Sequence, residues 1–148
     1  MIEVTRKVSA SPKQIFEVLS DGWSYASWVL GTSHIRAVDP EWPRVGSKIH
    51  HMVGPWPFVI KDETEVIGME PDSRLELHAR AWPVGAAHIH ITLVPKTSTE
   101  TEVRLAEELV DAPGRMIPHQ VQELMFRPRN TETLSRLADL AEGRSRRA

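Results

Sequence analysis

The stretch Arg74–Val94, RLELHARAWPVGAAHIHITLV, alternates apolar and polar residues in two runs that are separated by a turn signal at 83–85. Strict alternation predicts β-strands, because neighbouring side chains of a strand point to opposite faces of the sheet. The two runs therefore predict an antiparallel hairpin with strands at 74–82 and 86–94. One face of this hairpin is aliphatic, so another layer of the protein must cover it.

Similar alternation elsewhere predicts five more strands, at 2–8, 33–38, 46–53, 58–67 and 101–110. Between the first two strands, Ser11 is a suitable N-cap, Pro12 suits the first helical position, and Gln14 stands three residues after the cap. The next segment, 23–31, predicts a second short helix. Successive strands with short connections favour an antiparallel meander.

The last part of the chain, 113–143, predicts one long helix, and it is the only predicted element large enough to cover the sheet. Pro128 should kink or split this helix, because proline removes a backbone donor and crowds the preceding turn. Its expected inward stripe is Ile117, Val121, Leu124, Pro128, Thr131, Leu134, Ala138 and Ala141. We expect an α+β fold in one domain, residues 1–148, with a frayed tail at 143–148.

Composition excludes several classes of function. The chain has 148 residues, a formal net charge of −2 and no cysteine, so disulfide and thiolate chemistry are absent. The sequence lacks the basic face that nucleic-acid-binding proteins usually present. No apolar run is long enough to span a bilayer, and the N-terminal residues lack the apolar core of a secretion signal. A cytoplasmic location is the default expectation, and the oligomeric state, monomer or homodimer, stays open.

The inner face of the predicted sheet carries few polar residues, and they lie near small ones. Alternation turns His51, Asp62, Thr64 and Glu107 inward, whereas His50 points outward. A mostly apolar surface with a few converging polar groups is typical of a ligand pocket. The candidate ligand-binding residues are His51, Ile60, Asp62, Thr64, Ala79, Ala81, Ala87, Ile89, Glu107, Leu109, Val121, Leu124 and Met125.

The register that we expect follows from these inner sets. It places Leu77 opposite Ile91, Thr64 opposite Leu77, and Ile89 opposite Glu107. Asp62 and Glu107 then lie three strands apart, about 14 Å, which is too far for a paired-carboxylate site.

Glu107, between two leucines, is the sharpest candidate. Desolvation would raise the pKa of such a carboxyl, which suits a general acid or base or a ligand anchor. A salt bridge to Arg6 on the first predicted strand is the structural alternative. His51 with Asp62 is the best acid/base pair, and a structural histidine is its alternative. Trp23, Tyr25 and Trp28 could form the opposite wall of the pocket or pack as core.

Three histidines form a separate group on the outer face. The expected register puts His78 opposite His90, with His88 two residues along. Imidazoles at this spacing can hold Zn²⁺, but an incidental surface patch is the simpler interpretation. We therefore assign neither a metal nor a cofactor from the sequence.

Two quoted segments give the chain a family resemblance: VSASPKQIFEVLSDGWSYASWV (8–29) and EVRLAEELVDAPG (102–114). Together with the element order, they are similar to the START-like (SRPBCC) superfamily, and within it to bacterial polyketide cyclase/dehydrase-like proteins. The resemblance covers nearly the full length. It implies a helix-grip fold, in which a curved seven-stranded antiparallel sheet wraps a long C-terminal helix and an elongated apolar cavity lies between them. It carries over no catalytic residue.

The sequence thus leaves three functions open. The first is binding of a hydrophobic small molecule, lipid-like or polyketide-like, in a cavity between the sheet and the last helix. The second is a polyketide cyclase or dehydratase that uses His51 and Asp62, or Glu107, to move protons. The third is a protein-binding role, which needs an exposed apolar patch.

Overall fold

The computed structural model describes residues 1–30, 32–53, 60–80 and 85–147, with Thr32, Ser33, Val53 and Ile60 described by their backbone alone. Seven strands are present in this part of the chain. They are β1 (Ile2–Val8), β2 (Thr32–Val38), β3 (Lys48–Val53), β4 (Ile60–Glu70), β5 (Arg74–Arg80), β6 (Ala86–Thr97) and β7 (Glu100–Leu109).

Three α-helices accompany the sheet: α1 (Pro12–Ser20), α2 (Tyr25–Trp28) and α3 (His119–Arg147). Short 3-10 turns at Gly22–Ser24 and Gly114–Met116 precede α2 and α3. The predicted start of α1 is confirmed, because Ser11 and Gln14 exchange side-chain to backbone hydrogen bonds as a capping box. The segment predicted as one helix at 23–31 is a 3-10 turn followed by a single α-helical turn, and Gly31 lies outside the described residues.

The strands form one curved sheet in the order β1-β7-β6-β5-β4-β3-β2, and every neighbouring pair is antiparallel. The predicted α+β helix-grip fold is therefore confirmed. The segment with α1 and α2 connects β1 to β2, which are the two edge strands of the sheet. The first 38 residues therefore contain both edges. The long helix α3 lies against the sheet and contacts β1, β7, α1 and α2.

The side-chain faces of the strands are as predicted. Leu75, Leu77, Ile91, Val103 and Leu105 are buried on the inner face, as are the polar residues His51, Asp62, Thr64 and Glu107. The buried apolar residues divide into a large cluster at one end of this face and a small one at the other. The small cluster consists of Ile2, Ala87, Leu109 and Phe126, with Ile117 packed against it.

The register differs from expectation at two strand pairs. Ile89 lies opposite Glu107 as predicted, but Leu77 lies opposite Ile89 instead of Ile91, and Thr64 lies opposite Ala79 instead of Leu77. Both pairings are therefore shifted by two residues, which preserves the inward-facing sets. For the β4–β5 pair the cause is turn length, because β4 continues to Glu70 and meets β5 through a tight turn.

The helix α3 departs from its predicted stripe. Val121, Leu124 and Met125 are 44%, 79% and 44% exposed, and their predicted inward position is wrong. Pro128 and Thr131 are exposed too. The residues that face the sheet are Phe126, Asn130, Thr133, Leu134, Leu137, Ala138 and Ala141. Leu134, Ala138 and Ala141 are buried as predicted, so the predicted stripe is wrong only in the first half of the helix, where the inward residues Asn130 and Thr133 are polar.

The helix also continues through Pro128 and beyond Gly143. It is not split, because Leu124, whose carbonyl loses its hydrogen-bond donor at Pro128, is on the exposed side where water can replace that donor. The predicted frayed tail is wrong for residues 143–147, which are helical, and Arg144 donates a 3.1 Å hydrogen bond to Asp21. Within the described residues, none of the helices is both long enough and apolar enough to cross a bilayer.

Candidate functional site

Glu107 joins β7, the strand next to the edge strand β1, to α3. Its carboxylate, only 2% exposed, accepts a 2.9 Å hydrogen bond from the side-chain amide of Asn130 and lies 3.4 Å from Nη1 of Arg129. The expected salt bridge to Arg6 is wrong, because Arg6 is exposed and lies opposite Val103 on the neighbouring strand. Both oxygens of Glu107 are thus held by the helix, which satisfies a charge that burial would otherwise penalise.

The same part of α3 holds the segment that follows α2. Arg129 donates through Nε to the carbonyl of Leu30 at 3.1 Å, and the Leu30 amide donates to Oγ1 of Thr133 at 3.2 Å. We call these two hydrogen bonds the Leu30 clasp. Because Arg129 contacts both Leu30 and Glu107, it connects α2, α3 and β7 at one point.

A second polar group lies on β3 and β4. Nε2 of His51 and Oγ1 of Thr64 share a 2.8 Å hydrogen bond. The ring of Tyr25 stacks on His51 with 5.8 Å between centroids and 20° between planes. Tyr25 and Thr64 therefore both contact His51, and the three side chains form one buried polar group.

Burial controls the protonation of this connected group. It lowers the pKa of His51 below the ordinary value of 6.5, and the charge of Asp62, which lies directly opposite on β4, only partly opposes this shift. Burial also raises the pKa of the Tyr25 hydroxyl, with the Thr64 hydrogen bond as the largest opposing effect. Both side chains are therefore neutral near pH 7.

A small cavity lies between α2, α3 and the sheet. A water-sized sphere can place its centre in about 10 Å³ of it, which is room for about one water molecule. One wall is polar, with Glu107, Arg129, Asn130 and Thr133. The remaining lining is aromatic and aliphatic: Tyr25, Trp28, Val29, Leu77, Ile89, Ile91 and Leu105.

Two buried polar atoms beside this cavity have no partner. Nε1 of Trp28, a cavity-lining residue, and Nδ1 of His51, which stacks on the lining residue Tyr25, are the two buried side-chain atoms without a hydrogen bond among the described residues. A buried N–H without an acceptor is costly, and such groups are rare in folded proteins. Of the two, Nε1 of Trp28 belongs to a residue that lines the cavity, and it is the donor that a ligand or water oxygen there would satisfy.

The candidates from the sequence separate into three groups in the structure. Ile89 and Glu107 line the cavity, and His51, Asp62 and Thr64 are buried on the strands beside it. Ala87 and Leu109 instead pack under Phe126 of α3, and Ala79 is half-buried at the margin of the core. The side chain of Ile60, and all of Ala81, lie outside the described residues.

Sequence reasoning missed the contribution of α3 to the polar wall. Arg129, Asn130 and Thr133 are polar residues on a helix, and none of them belongs to the predicted inward stripe. A sequence signal for this inward face did exist. Phe126, Asn130, Thr133 and Leu137 are spaced at i, i+4, i+7 and i+11, so they share one face of a helix, although two of them are polar. The aromatic wall was recognised for Tyr25 and Trp28, whereas Trp23 is 60% exposed.

A curved antiparallel sheet that grips a C-terminal helix, with a pocket between them, defines a START-like (SRPBCC) protein. Residues 9–142 match the model of one family with this fold. The chain belongs to that family, described as activator of Hsp90 ATPase homolog 1-like proteins. No match was found among curated proteins.

Solved structures support the fold assignment. Protein NE0264 from Nitrosomonas europaea matches with a TM-score of 0.74 and 18% identity, over 97% of this chain and 95% of that one. The aromatase/cyclase ZhuI from Streptomyces sp. R1128 matches with a TM-score of 0.72 and 16% identity, over 97% and 94%. The di-domain aromatase/cyclase StfQ from the steffimycin pathway matches with a TM-score of 0.71 and 19% identity, over 99% of this chain and 46% of that one. At these identities the likeness shows the fold alone.

Proposed function

We propose that the protein binds an uncharged, mostly apolar small molecule whose one oxygen atom accepts a hydrogen bond from Trp28. The observation that carries this proposal is the unpartnered Nε1–H of Trp28, buried at a cavity that is otherwise lined mainly by apolar side chains. An oxygen acceptor there would recover the free energy lost by the buried donor. The apolar lining would take the hydrocarbon part of the ligand.

The charges of the pocket favour a neutral ligand. Glu107 and Arg129 are the charged lining residues, and they already contact each other. A carboxylate ligand would have to compete with Glu107 for Arg129, and a cationic ligand would compete with Arg129 and Asn130 for Glu107. Glu107 is the buried member of this pair, and a ligand that displaced its partners would leave a buried carboxylate without them, which is unfavourable. A ketone, ester or amide oxygen avoids that cost.

The size of the cavity implies that binding needs an opening movement. Space for about one water molecule does not hold a drug-sized ligand. The helix α2 is one turn long, and the segment that follows it is tied to α3 by the Leu30 clasp. Release of two hydrogen bonds would let α2 move away from α3, which enlarges the cavity at its aromatic wall.

A matched pair of probes tests the proposal. Isothermal titration calorimetry would compare 2-acetylnaphthalene with 2-ethylnaphthalene, which has almost the same shape but no oxygen. We expect the ketone to bind about tenfold more tightly, a difference of about 1.4 kcal/mol for one recovered hydrogen bond. Trp28→Phe should abolish the preference for the ketone while keeping the apolar wall.

The control is Trp23→Phe, since Trp23 is exposed and should leave both affinities unchanged. Absence of binding by both probes, or a ketone preference that survives in Trp28→Phe, would contradict the proposal.

A second candidate function is a cyclase or dehydratase reaction on a poly-keto chain. The specific observation in its favour is the buried hydrogen bond between His51 and Thr64 with Tyr25 stacked on His51, a group that could pass a proton next to a ligand carbonyl. The aromatase/cyclase structures share the fold with this chain. In this candidate function, Tyr25 is the acid, His51 the base and Asp62 an orienting charge, whereas Glu107 anchors α3.

Tyr25→Phe separates the two functions. An enzyme should lose turnover of a linear poly-keto thioester while its affinity for the aromatic ketone stays within a few fold. A binding protein shows no turnover with or without the substitution.

A further inference from the structure

Three potential metal ligands converge on the outer face of the sheet, away from the pocket. His88 on β6 lies directly opposite Glu108 on β7, and His90 follows two residues along on the same face. The ligand atoms that these three side chains offer all lie within 4.8 Å of one another, and each side chain is half-buried. We propose that His88, His90 and Glu108 form a Zn²⁺ site.

The donor set suits Zn²⁺ in particular. Two imidazoles and one carboxylate are a common zinc ligand set that leaves a fourth position for water. Ligands about 2.0–2.1 Å from the metal stand about 3.3 Å apart in a tetrahedron, so small side-chain rotations suffice to close the site. The backbone needs no change, because β6 and β7 are adjacent hydrogen-bonded strands.

Each histidine already has a partner for its second ring nitrogen. Nε2 of His88 shares a 3.0 Å hydrogen bond with Nδ1 of His78, which lies opposite His88 and not, as the sequence predicted, opposite His90. Nδ1 of His90 lies 3.5 Å from a carboxylate oxygen of Glu76. Metal-binding histidines usually have such an outer partner, which sets the tautomer and the ring orientation. Nδ1 of His88 and Nε2 of His90 are then the nitrogens for Zn²⁺.

The surrounding charges also favour a cation. Glu108 makes no ion pair with any described residue, so it brings an uncompensated negative charge to the cluster. Arg74, the cation nearest to Glu76, is already paired with Glu70 and Glu76. Zn²⁺ would neutralise Glu108 and replace the water around two half-buried imidazoles. Because the site is on the opposite face from Glu107, it does not depend on the proposed ligand-binding function.

Zinc titration of the full-length, chelator-treated protein tests this inference. We expect calorimetry with ZnCl₂ to show one site with a dissociation constant of about 1 µM or tighter, and MgCl₂ to give no signal because Mg²⁺ prefers oxygen ligands. His88→Gln and Glu108→Gln should each lower the Zn²⁺ affinity at least tenfold. His78→Gln, which removes only an outer partner, should lower it by about tenfold.

His119 supplies the matched control, because it also stands near a glutamate, Glu123, but on the exposed start of α3. His119→Gln should leave the Zn²⁺ affinity unchanged, and circular dichroism should confirm that every variant is folded. A visible spectrum of the Co²⁺-substituted protein reports directly on tetrahedral coordination. The inference is overturned if Zn²⁺ does not bind, or if binding survives in folded His88→Gln and Glu108→Gln proteins.

Discussion

The side-chain amide of Asn130 donates a 2.9 Å hydrogen bond to the carboxylate of Glu107, and the two side chains are 3% and 2% exposed. The first residue belongs to the long helix and the second to β7, which lies next to the edge strand β1. Their contact lies beside the cavity, in the gap between the large and small apolar clusters. The fold is therefore joined at this point by a polar contact and not by side-chain packing.

Removal of the amide should cost stability. Asn130→Ala leaves one oxygen of a buried carboxylate without its donor, and we expect the free energy of unfolding to fall by about 1–3 kcal/mol. Urea denaturation followed by circular dichroism measures the change. Arg136→Ala, which removes an exposed ion pair with Glu132 on the same helix, is the control and should change stability by about 0.5 kcal/mol or less.

The protonation of His51 predicts a pH dependence. Because its pKa is lowered in the folded protein, the unfolded chain takes up a proton at a higher pH than the folded chain. Stability should therefore fall as the pH decreases below about 6.5, down to the folded-state pKa. His51→Gln should reduce this loss between pH 7.5 and pH 5, whereas His34→Gln, at an exposed position on β2, should not. Equal pH profiles for wild type and His51→Gln would show that the histidine titrates normally.

The Leu30 clasp predicts a local opening. Thr133→Val removes the acceptor for the Leu30 amide, so hydrogen exchange at residues 25–30 should accelerate by about tenfold while the amides of β6 and β7 keep their rates. Thr131→Val is the control, because Thr131 is exposed on the same helix. Thr133→Val should also raise the association rate of the aromatic ketone if the opening of α2 limits binding. Unchanged exchange at residues 25–30 would count against the clasp.

Substitution of Phe126 and of Leu124, two apolar residues close together on α3, should affect the free energy of unfolding very differently. Phe126 is 6% exposed in the small cluster with Ala87 and Leu109, so Phe126→Ala should lower the free energy of unfolding by about 3–5 kcal/mol. Leu124 is 79% exposed, and Leu124→Ala should change it by about 0.5 kcal/mol or less. Similar losses for both variants would contradict the helix orientation.

These two residues also show which parts of the fold could be predicted from the sequence and which could not. Alternation identified the strands and their inner faces, including His51 and Glu107, because a strand has only two faces to choose between. A helix has a continuous choice of face, and the inward stripe of α3 is partly polar. Its phase depends on the partners Glu107 and Leu30, which are distant in sequence and became apparent only in the folded chain. The β4–β5 and β5–β6 registers were wrong for a related reason, since alternation repeats every two residues and does not distinguish registers that differ by two.

The placement of β1 and β2 at the two margins of the sheet has a practical consequence. Detachment of β1, by truncation or by a bulky fusion at Ile2, would leave the backbone amides and carbonyls of β7 without partners along the strand that carries Glu107 and Glu108. Such an uncovered strand recruits other chains and promotes aggregation. Purification tags and fluorescent reporters therefore belong after α3, where the last helical residues are exposed and pair with no strand.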